Sequence, residues 1–145
     1  MASMDYDEAA AERLETVYRG TDMAAQRRFT LAQLALSPGE RVIDIGSGPG
    51  FLAAEMAEAV GPAGAVLGVD ISEALLARAR ARNAHAWLSY AWGDATALPT
   101  PDAAFDVAVS VQVAEYVADT EGFCAELARV LRPGGRGLVV ATDWD

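Results

Sequence analysis

The sequence is poor in the residues that several classes of protein require. Its 145 residues include one cysteine and one histidine, and all 11 basic residues are arginine. A single cysteine excludes a disulfide within the chain, and one cysteine with one histidine cannot build a zinc site of the usual ligands. The net charge of −10 disfavours nucleic acid as a partner, because an acidic surface repels phosphates. We therefore predict neither a metal site nor nucleic-acid binding.

Long apolar runs and a signal sequence are also missing. No stretch approaches the ~20 apolar residues that a membrane-spanning helix needs. The acidic N-terminus, MASMDYDEAAAE, lacks the basic and then apolar pattern of a secretory signal. The length predicts one domain. We expect a soluble, cytoplasmic protein without a membrane span.

A glycine-rich turn is the most informative feature that is present. In VIDIGSGPG, residues 42–50, a short apolar strand reaches Asp44, and Gly46, Gly48 and Gly50 follow at alternate positions. Glycine adopts positive φ and lets a ligand approach the backbone, and the helical run that follows offers free N–H groups at its start. This layout indicates a nucleotide-type cofactor site, with a tight turn without a ligand as the alternative. Asp44 could order the turn or bind an ammonium group through water.

The rest of the chain alternates strands and helices, which is typical of a parallel sheet with crossover helices. Residues 5–36 are predicted as helices, with Asp22 capping the second. Strands are predicted at 41–45, 65–69, 87–91, 105–110 and 136–142, and helices at 49–60, 73–83 and 120–131. Ser72 is the expected N-cap of the helix 73–83. Ligands of such sheets bind at the carboxyl ends of the strands.

Two further acidic residues fall at that edge. Asp70 ends the second strand, where a carboxylate can accept hydrogen bonds from ribose hydroxyls; the alternative is a helix-capping acid. Asp94 follows Gly93 after the third strand, where a carboxylate can accept the exocyclic amine of adenine; the alternative is an ordinary Gly-Asp turn.

Taken in order, these motifs resemble those of the class I S-adenosylmethionine-dependent methyltransferases. The resemblance covers about residues 41–143, on VIDIGSGPG, LGVDIS, GDATALP, FDVAVSVQVAEYV and LARVLRPGGRGLVV. It is to the small-molecule branch that includes the ubiquinone and menaquinone biosynthesis type. It implies an α/β, Rossmann-like, doubly wound fold, whose mostly parallel sheet has helices on both faces. An N-terminal helical cap, 1–40, would precede an S-adenosylmethionine-binding domain, 41–145.

The resemblance also implies which residues surround S-adenosylmethionine and its product S-adenosylhomocysteine. The glycine turn would line the methionine end, Asp70 the ribose, Ile71 and Asp94 the adenine, and Gln112 the region near the sulfonium. From the N-terminal helices, Tyr18, Met23 and Arg27 or Arg28 would close over the cofactor, with plain helix packing as the alternative. The predicted cofactor-binding residues are Asp44, Gly46, Ser47, Gly48, Gly50, Asp70, Ile71, Gly93, Asp94, Ala95, Val111, Gln112, Tyr18 and Arg28.

Methyl transfer from a sulfonium needs alignment and exclusion of water, and a base only if the acceptor carries a proton of high pKa. The catalytic residues are therefore unknown, with Glu115, Tyr116 and Asp143 as candidates because they follow strands four and five. His85 falls at the opposite edge of the sheet, and Cys124 is expected in the core. The arginines at 78, 80 and 82 are expected to form a solvated surface.

The resemblance leaves one departure, because the family fold continues with two strands beyond the fifth. The fifth strand would then present an unpaired edge, completed by a second copy or a partner chain unless the sequence is truncated. The predicted function is methyl transfer to a small-molecule acceptor. The alternative is an S-adenosylmethionine-binding module or subunit that does not methylate by itself, or that uses the fold for another reaction. The glycine spacing and the acidic GDA turn disfavour an NAD-linked oxidoreductase.

Overall fold

The computed structural model describes residues 7–142, so the candidate Asp143 lies outside the described residues. In these residues two helices precede five strands, and three further helices follow the first, second and fourth strands. The helices are α1 (Glu8–Tyr18), α2 (Thr21–Leu34), α3 (Phe51–Val60), α4 (Glu73–Arg82) and α5 (Thr120–Val130), with a short 3₁₀ helix at Ala114–Tyr116. The strands are β1 (Arg41–Ile45), β2 (Ala65–Asp70), β3 (Leu88–Trp92), β4 (Phe105–Val111) and β5 (Leu131–Val140).

The five strands form one parallel sheet in the order β3-β2-β1-β4-β5. The chain winds outward from β1 through β2 to β3, and then crosses to β4 and β5 on the other side. This reversal is the topological switch point at which doubly wound sheets bind ligands. Ile45 at the end of β1 lies opposite Val69 of β2 and Ser110 of β4. The predicted α/β fold is confirmed.

Alternate residues of the strands build two cores, one on each face of the sheet. On one face, Val42 and Val109 pack with Met56 of α3 and Leu34 of α2. On the other, the core contains Ile43, Ile45 and Ala108 of the sheet with Phe123 and Val130 of α5. Burial on both faces explains why β1 and β4 are mostly apolar and do not alternate apolar with polar residues.

The start of α2 corrects one prediction. Its N-cap is Gly20 in an extended conformation, and Asp22 lies within the first turn. The carboxylate of Asp22 still interacts favourably there with the positive end of the helix dipole, but it does not cap the helix. Ser72 is the N-cap of α4 as predicted, since its hydroxyl accepts a hydrogen bond from the Leu75 N–H at 3.2 Å.

Two expectations for the C-terminal part are wrong. β5 begins at Leu131 rather than at 136, because its pairing with β4 shifts between Leu131 and Arg136 and leaves Pro133-Gly134-Gly135 as an irregular bulge within the strand. Cys124 is exposed and not in the core. It follows Phe123, which faces the sheet, and successive residues of a helix point about 100° apart.

No helix among residues 7–142 is long and apolar enough to cross a membrane.

Candidate functional site

A cavity of about 320 Å³ opens at the carboxyl ends of β1, β2 and β4, at the switch point of the sheet. Helix α1 covers it from above. Its walls are mostly apolar, and they come from α1, the glycine turn, the end of β2, the loop after β3 and the segment after β4. The lining residues are Leu14, Val17, Tyr18, Met23, Ile45, Gly46, Gly48, Val69, Asp70, Ile71, Leu75, Gly93, Ala95, Val111, Gln112, Val113 and Tyr116.

The glycine turn forms the floor of the cavity. Gly46, Gly48 and Gly50 all have positive φ, at 78°, 55° and 88°, which other residues rarely adopt. The N–H groups of Gly46 and Ser47 donate to the Val69 carbonyl at 2.7 and 2.9 Å, so the turn folds back onto β2. A Cβ on Gly46 would lie 2.2 Å from Cγ2 of Val113. Backbone conformation and close packing both require glycine at position 46.

Asp70 connects the end of β2 to this turn. Its Oδ2 accepts a hydrogen bond from the Gly48 N–H at 2.9 Å, and its Oδ1 accepts one from the Ser72 N–H at 2.9 Å. Burial raises the pKa of Asp70, although these backbone hydrogen bonds oppose the rise. Each carboxylate oxygen keeps acceptor capacity beyond the one bond it makes, and Asp70 lines the cavity.

A smaller recess continues from the cavity toward α2. It shares Tyr18, Met23, Gly46 and Val111 with the main cavity, and Asp44 and Ser47 line it as well. Asp44 is 2% exposed. Its Oδ2 and the hydroxyl of Ser47 are buried without a hydrogen-bond partner in residues 7–142. Burial, with a smaller contribution from the charge of Asp70, raises the pKa of Asp44 to about 7.

The two N-terminal helices contribute the outer wall. Tyr18 lines both the cavity and the recess, and its ring stacks on Phe51 with centroids 6.3 Å apart. Arg27 lines the recess and donates to the Tyr18 carbonyl at 2.7 Å and to Glu55 at 3.0 Å. Arg28, the residue predicted for this role, is exposed and lines neither. The two arginines are about 100° apart around α2, so only one of them points inward.

Gly93 and Ala95 of the loop after β3 line the cavity, but Asp94 between them does not. Oδ1 of Asp94 accepts hydrogen bonds from the Thr96 N–H at 2.8 Å and the Thr96 hydroxyl at 2.7 Å. These bonds lower the pKa of Asp94. Asp94 is not among the lining residues, because it closes its own turn. The alternative of an ordinary Gly-Asp turn therefore describes its side chain better.

The segment after β4 brings Val111, Gln112 and Tyr116 to the cavity. Gln112 has a φ of 59°, and its N–H donates to the Val140 carbonyl at 2.7 Å. Glu115 does not line the cavity; it accepts a hydrogen bond from the Thr142 N–H at 2.7 Å and so joins the ends of β4 and β5. Of the two described catalytic candidates, only Tyr116 lies at the cavity.

His85 and the predicted cofactor-binding residue Gly50 both lie outside the cavity. His85 precedes β3 at the amino edge of the sheet, where its ring lies 4.9 Å from that of Trp87. Gly50 does not line the cavity; a Cβ there would lie 2.4 Å from the Tyr90 hydroxyl. Gly50 serves the packing of α3 against β3.

Part of the cavity wall was not predicted from the sequence. Leu14 and Val17 have the spacing of one helical face, and that face lines the cavity. The cavity is also lined by Ile45 and Val69 near the ends of β1 and β2, by Leu75 of α4 and by Val113 after β4. Apolar residues next to a switch point are the signal that would have identified them.

Comparisons with known proteins identify the family. Residues 43–139 match the family described as a methyltransferase domain. The chain is 40% identical over 118 residues to the 2-phytyl-1,4-naphtoquinone methyltransferase of Synechococcus elongatus, covering 79% of this chain and 51% of that protein. The chain spans a third to a half of the length of the curated relatives it matches.

Solved structures agree with this assignment. The phosphoethanolamine N-methyltransferase 2 of Haemonchus contortus, solved in complex with S-adenosyl-L-methionine, is 26% identical with a TM-score of 0.82, covering 94% of this chain and 33% of that one. The methyltransferase in complex with the Trm112 activator of Haloferax volcanii is 30% identical with a TM-score of 0.77, covering 91% of this chain and 55% of that one. The chain belongs to the class I S-adenosylmethionine-dependent methyltransferase family.

Proposed function

We propose that the cavity binds S-adenosylmethionine and that the protein transfers a methyl group to a small-molecule acceptor. The observation that carries the proposal is the meeting of the glycine turn with the Asp70 carboxylate at the switch point, 2.9 Å from Oδ2 to the Gly48 nitrogen. It places the backbone of the glycine turn and a partly buried acceptor group at one end of an apolar cavity. A charged ligand with hydroxyl groups and an apolar ring system matches that combination.

The unpaired polar atoms of the recess support this ligand. Oδ2 of Asp44 and the hydroxyl of Ser47 are buried without a partner in the described part of the chain, and such atoms cost stability unless a ligand or water satisfies them. An ammonium group can donate hydrogen bonds to both. We therefore assign the methionine end of the cofactor to Asp44, Ser47 and the glycine turn, and its ribose hydroxyls to Asp70.

We assign the adenine ring to the apolar part of the cavity. Ile71, Leu75 and Ala95 line it there, next to Gly93 at the start of the loop after β3. A Cβ on Gly93 would lie 2.7 Å from Pro99 and 2.9 Å from Val69, so this wall is tightly packed. Asp94, bonded to Thr96, acts by fixing the loop.

The bound cofactor supplies a methyl group on a positively charged sulfur, which is already a strong electrophile. The residues of the chain orient the two reactants and exclude water, which lowers the barrier by proximity. In residues 7–142, the ionisable side chains at the main cavity are Asp70 and the two tyrosines Tyr18 and Tyr116. We propose an acceptor with an apolar or aromatic body that reaches the site already nucleophilic. The name of the naphtoquinone relative supports an acceptor of this kind.

The organisation of the whole protein is part of the proposal. Residues 1–40 would act as a helical cap on the S-adenosylmethionine-binding domain at 41–145. In the described structure β5 pairs with β4 alone, and an unpaired edge invites another strand. A second copy or a partner chain would complete it unless the sequence is truncated, and the solved complex with an activator shows that a related protein does bind a partner. The acidic net charge supports a protein that does not bind nucleic acid, and we propose a cytoplasmic location.

Transfer of a labelled methyl group tests this function. The protein is incubated with methyl-labelled S-adenosylmethionine and a panel of phenols, amines and quinols, and products are separated by chromatography. Labelled product that disappears in the Asp70→Asn variant supports methyl transfer. Binding of the cofactor without turnover of any acceptor supports the alternative, a binding module. Absence of cofactor binding contradicts both.

A further inference from the structure

Helix α1 covers the cavity with little apolar packing beneath it, since Ala11 is its one buried apolar residue. Its apolar residues Leu14, Val17 and Tyr18 line the cavity, and Val17 remains 58% exposed. In residues 7–142, no side chain of α1 belongs to either of the two core clusters. Elements with few buried apolar contacts open locally at a low free-energy cost. Another interaction must therefore hold α1 in place.

That interaction is a group of charged residues, the Glu15 cluster, composed of Glu15, Arg19, Arg78 and Arg82. Glu15 lies on α1 and is only 4% exposed. It accepts hydrogen bonds from Arg82 at 3.0 Å, from Arg19 at 3.1 Å and from Nε of Arg78. Arg78 and Arg82 are one turn apart on α4, so the cluster joins the two helices. The expected solvated surface at these two positions is therefore wrong.

The surroundings of Glu15 strengthen these ion pairs. Burial raises the pKa of Glu15, but the arginines outweigh it, so the pKa lies below its ordinary value. The side chains of Arg78 and Arg82 are 27% and 30% exposed, so solvent screens them less than it screens surface pairs. Removing the carboxylate charge leaves the partly buried guanidinium of Arg82 without an anionic partner and leaves Arg78 with Glu8 alone, which costs more than the loss of a surface ion pair.

The cluster also reaches the glycine turn. The Arg82 guanidinium lies 4.0 Å from the centroid of the Phe51 ring, and Phe51 begins α3 directly after that turn. Tyr18 stacks on the same ring. Arg27 holds the last turn of α1 from the other side through the Tyr18 carbonyl. A displacement of α1 therefore removes Tyr18 from the cavity and changes the contacts of Phe51.

We propose that Glu15 is a positioning residue, which holds α1 closed over the cavity through Arg78 and Arg82. Helix α1 is the lid of the site, and charge pairs add to the limited apolar packing that Ala11 provides. The inference rests on the proposed function, because the lid encloses the cofactor that the cavity is proposed to bind. Weakening the Glu15 cluster opens the lid and shortens the residence time of the cofactor.

Hydrogen–deuterium exchange without cofactor tests the position of α1 directly. The Glu15→Gln variant keeps the size of the side chain and removes its charge, and Glu12→Gln is the control because Glu12 is exposed on the same helix. We expect the α1 amides to exchange about tenfold faster in Glu15→Gln only. Exchange in β1 and β4 should not change. Unchanged α1 exchange would overturn the proposal, and so would acceleration that spreads equally to β1 and β4.

Salt and a second variant provide an independent comparison. Raising NaCl from ~0.05 to ~0.5 M shortens the screening length, so α1 exchange in the wild type should rise toward that of Glu15→Gln. The Arg78→Met variant, altered on α4, should accelerate α1 exchange in the same way, and it remains testable if Glu15→Gln does not fold. If neither high salt nor the Arg78→Met substitution accelerates α1 exchange, the proposed role of the cluster is wrong.

The cofactor measurement separates the lid from the site itself. S-adenosylhomocysteine should dissociate from Glu15→Gln about three- to tenfold faster than from the wild type and from Glu12→Gln. Equal dissociation rates would show that α1 does not retain the cofactor, and the proposal that α1 is a lid would be overturned. If the wild type binds no S-adenosylhomocysteine, the proposed function fails, whereas the exchange comparison still decides whether Glu15 positions α1.

Discussion

The Asp70 carboxylate accepts a hydrogen bond from the backbone nitrogen of Gly48, 22 residues earlier in the chain and 2.9 Å away. This bond joins the end of β2 to the turn that follows β1, so the two sides of the cofactor cavity have a fixed separation. The turn is held to β2 a second time, through the Val69 carbonyl. A preformed site of this kind loses little conformational entropy when a ligand binds.

Asp70→Asn should weaken the binding of S-adenosylmethionine about 10- to 100-fold. The substitution keeps the shape of the side chain but removes the charge, and hydrogen bonds to charged groups contribute about 1.5–3 kcal/mol. Isothermal titration calorimetry measures the change. Asp22→Asn is the control, because Asp22 is exposed on α2, and it should bind as the wild type does. Equal affinity in both variants would remove Asp70 from the site.

Asp44 should make the stability of the protein depend on pH. Burial raises its pKa from 3.8 to about 7 in the folded state, so between these values the folded protein holds a proton that the unfolded chain has released. Stability contributed by this proton is present below about pH 4 and declines as the pH rises toward 7, by at most about 1.4 kcal/mol per pH unit.

Urea unfolding at pH 5 and pH 8 tests this dependence with the Asp44→Asn variant. Asparagine does not titrate, so the variant should gain stability relative to the wild type at pH 8 and gain less at pH 5. A difference between variant and wild type that is the same at both pH values would show that Asp44 does not titrate in this range.

Gly46→Ala should destabilise the protein more than Gly39→Ala does. Both glycines have positive φ, at 78° and 89°, so both substitutions incur about 1–2 kcal/mol of backbone strain. A Cβ at position 46 also meets Val113 at 2.2 Å, whereas nothing lies within 4 Å of one at position 39. We expect an additional 1–3 kcal/mol, roughly, for the overlap.

Denaturant unfolding of both variants gives the comparison for these glycines. In a double-mutant cycle, Gly46→Ala should cost less stability in a Val113→Ala background than in the wild type, since that background lacks the atom that the new Cβ meets. If the two single variants are equally stable, close packing at Gly46 does not contribute.

Arg129→Met should release the loop after β3. Arg129 donates to the carbonyls of Leu98 at 3.1 Å and Thr100 at 2.8 Å and to Asp102 at 2.8 Å. Glu126, its partner on α5, accepts from the Leu98 N–H at 2.7 Å. Because this loop carries Gly93 and Ala95 to the cavity, the variant should lose about 1–3 kcal/mol of stability and bind S-adenosylmethionine more weakly.

The control for this loop variant is Arg132→Met. Its side chain is 54% exposed and pairs with Asp106 at the amino edge of the sheet, so its removal should leave cofactor affinity unchanged. Equal losses of affinity in the two variants would mean that the effect of Arg129 is one of general stability.

The elements that carry the site were predictable because local signals and tertiary structure agree there. The strand–glycine–helix order of residues 41–60 and the capping by Ser72 depend on backbone requirements that each residue meets by itself. The position of Asp70 followed from strand order alone, since parallel strands end at one edge.

The errors concern side chains whose direction depends on neighbouring elements. Arg27 and Arg28 are equivalent in sequence, and contacts with Glu55 of α3 and with the Tyr18 carbonyl select Arg27. Arg78 and Arg82 seemed solvated because Glu15 lies more than sixty residues earlier in the chain. The side chain of Asp94 accepts a hydrogen bond from Thr96, two residues along the chain. A motif shared with other proteins does not predict this local contact.

Calorimetric titration of the wild-type protein with S-adenosylmethionine, and separately with NAD, decides which cofactor the cavity binds. We predict saturable binding of S-adenosylmethionine with one site per chain and no heat of binding with NAD, because the Gly46-x-Gly48-x-Gly50 turn and the Asp70 carboxylate form the cofactor site. If the folded protein does not bind S-adenosylmethionine, or binds NAD in its place, the cavity is not an S-adenosylmethionine site.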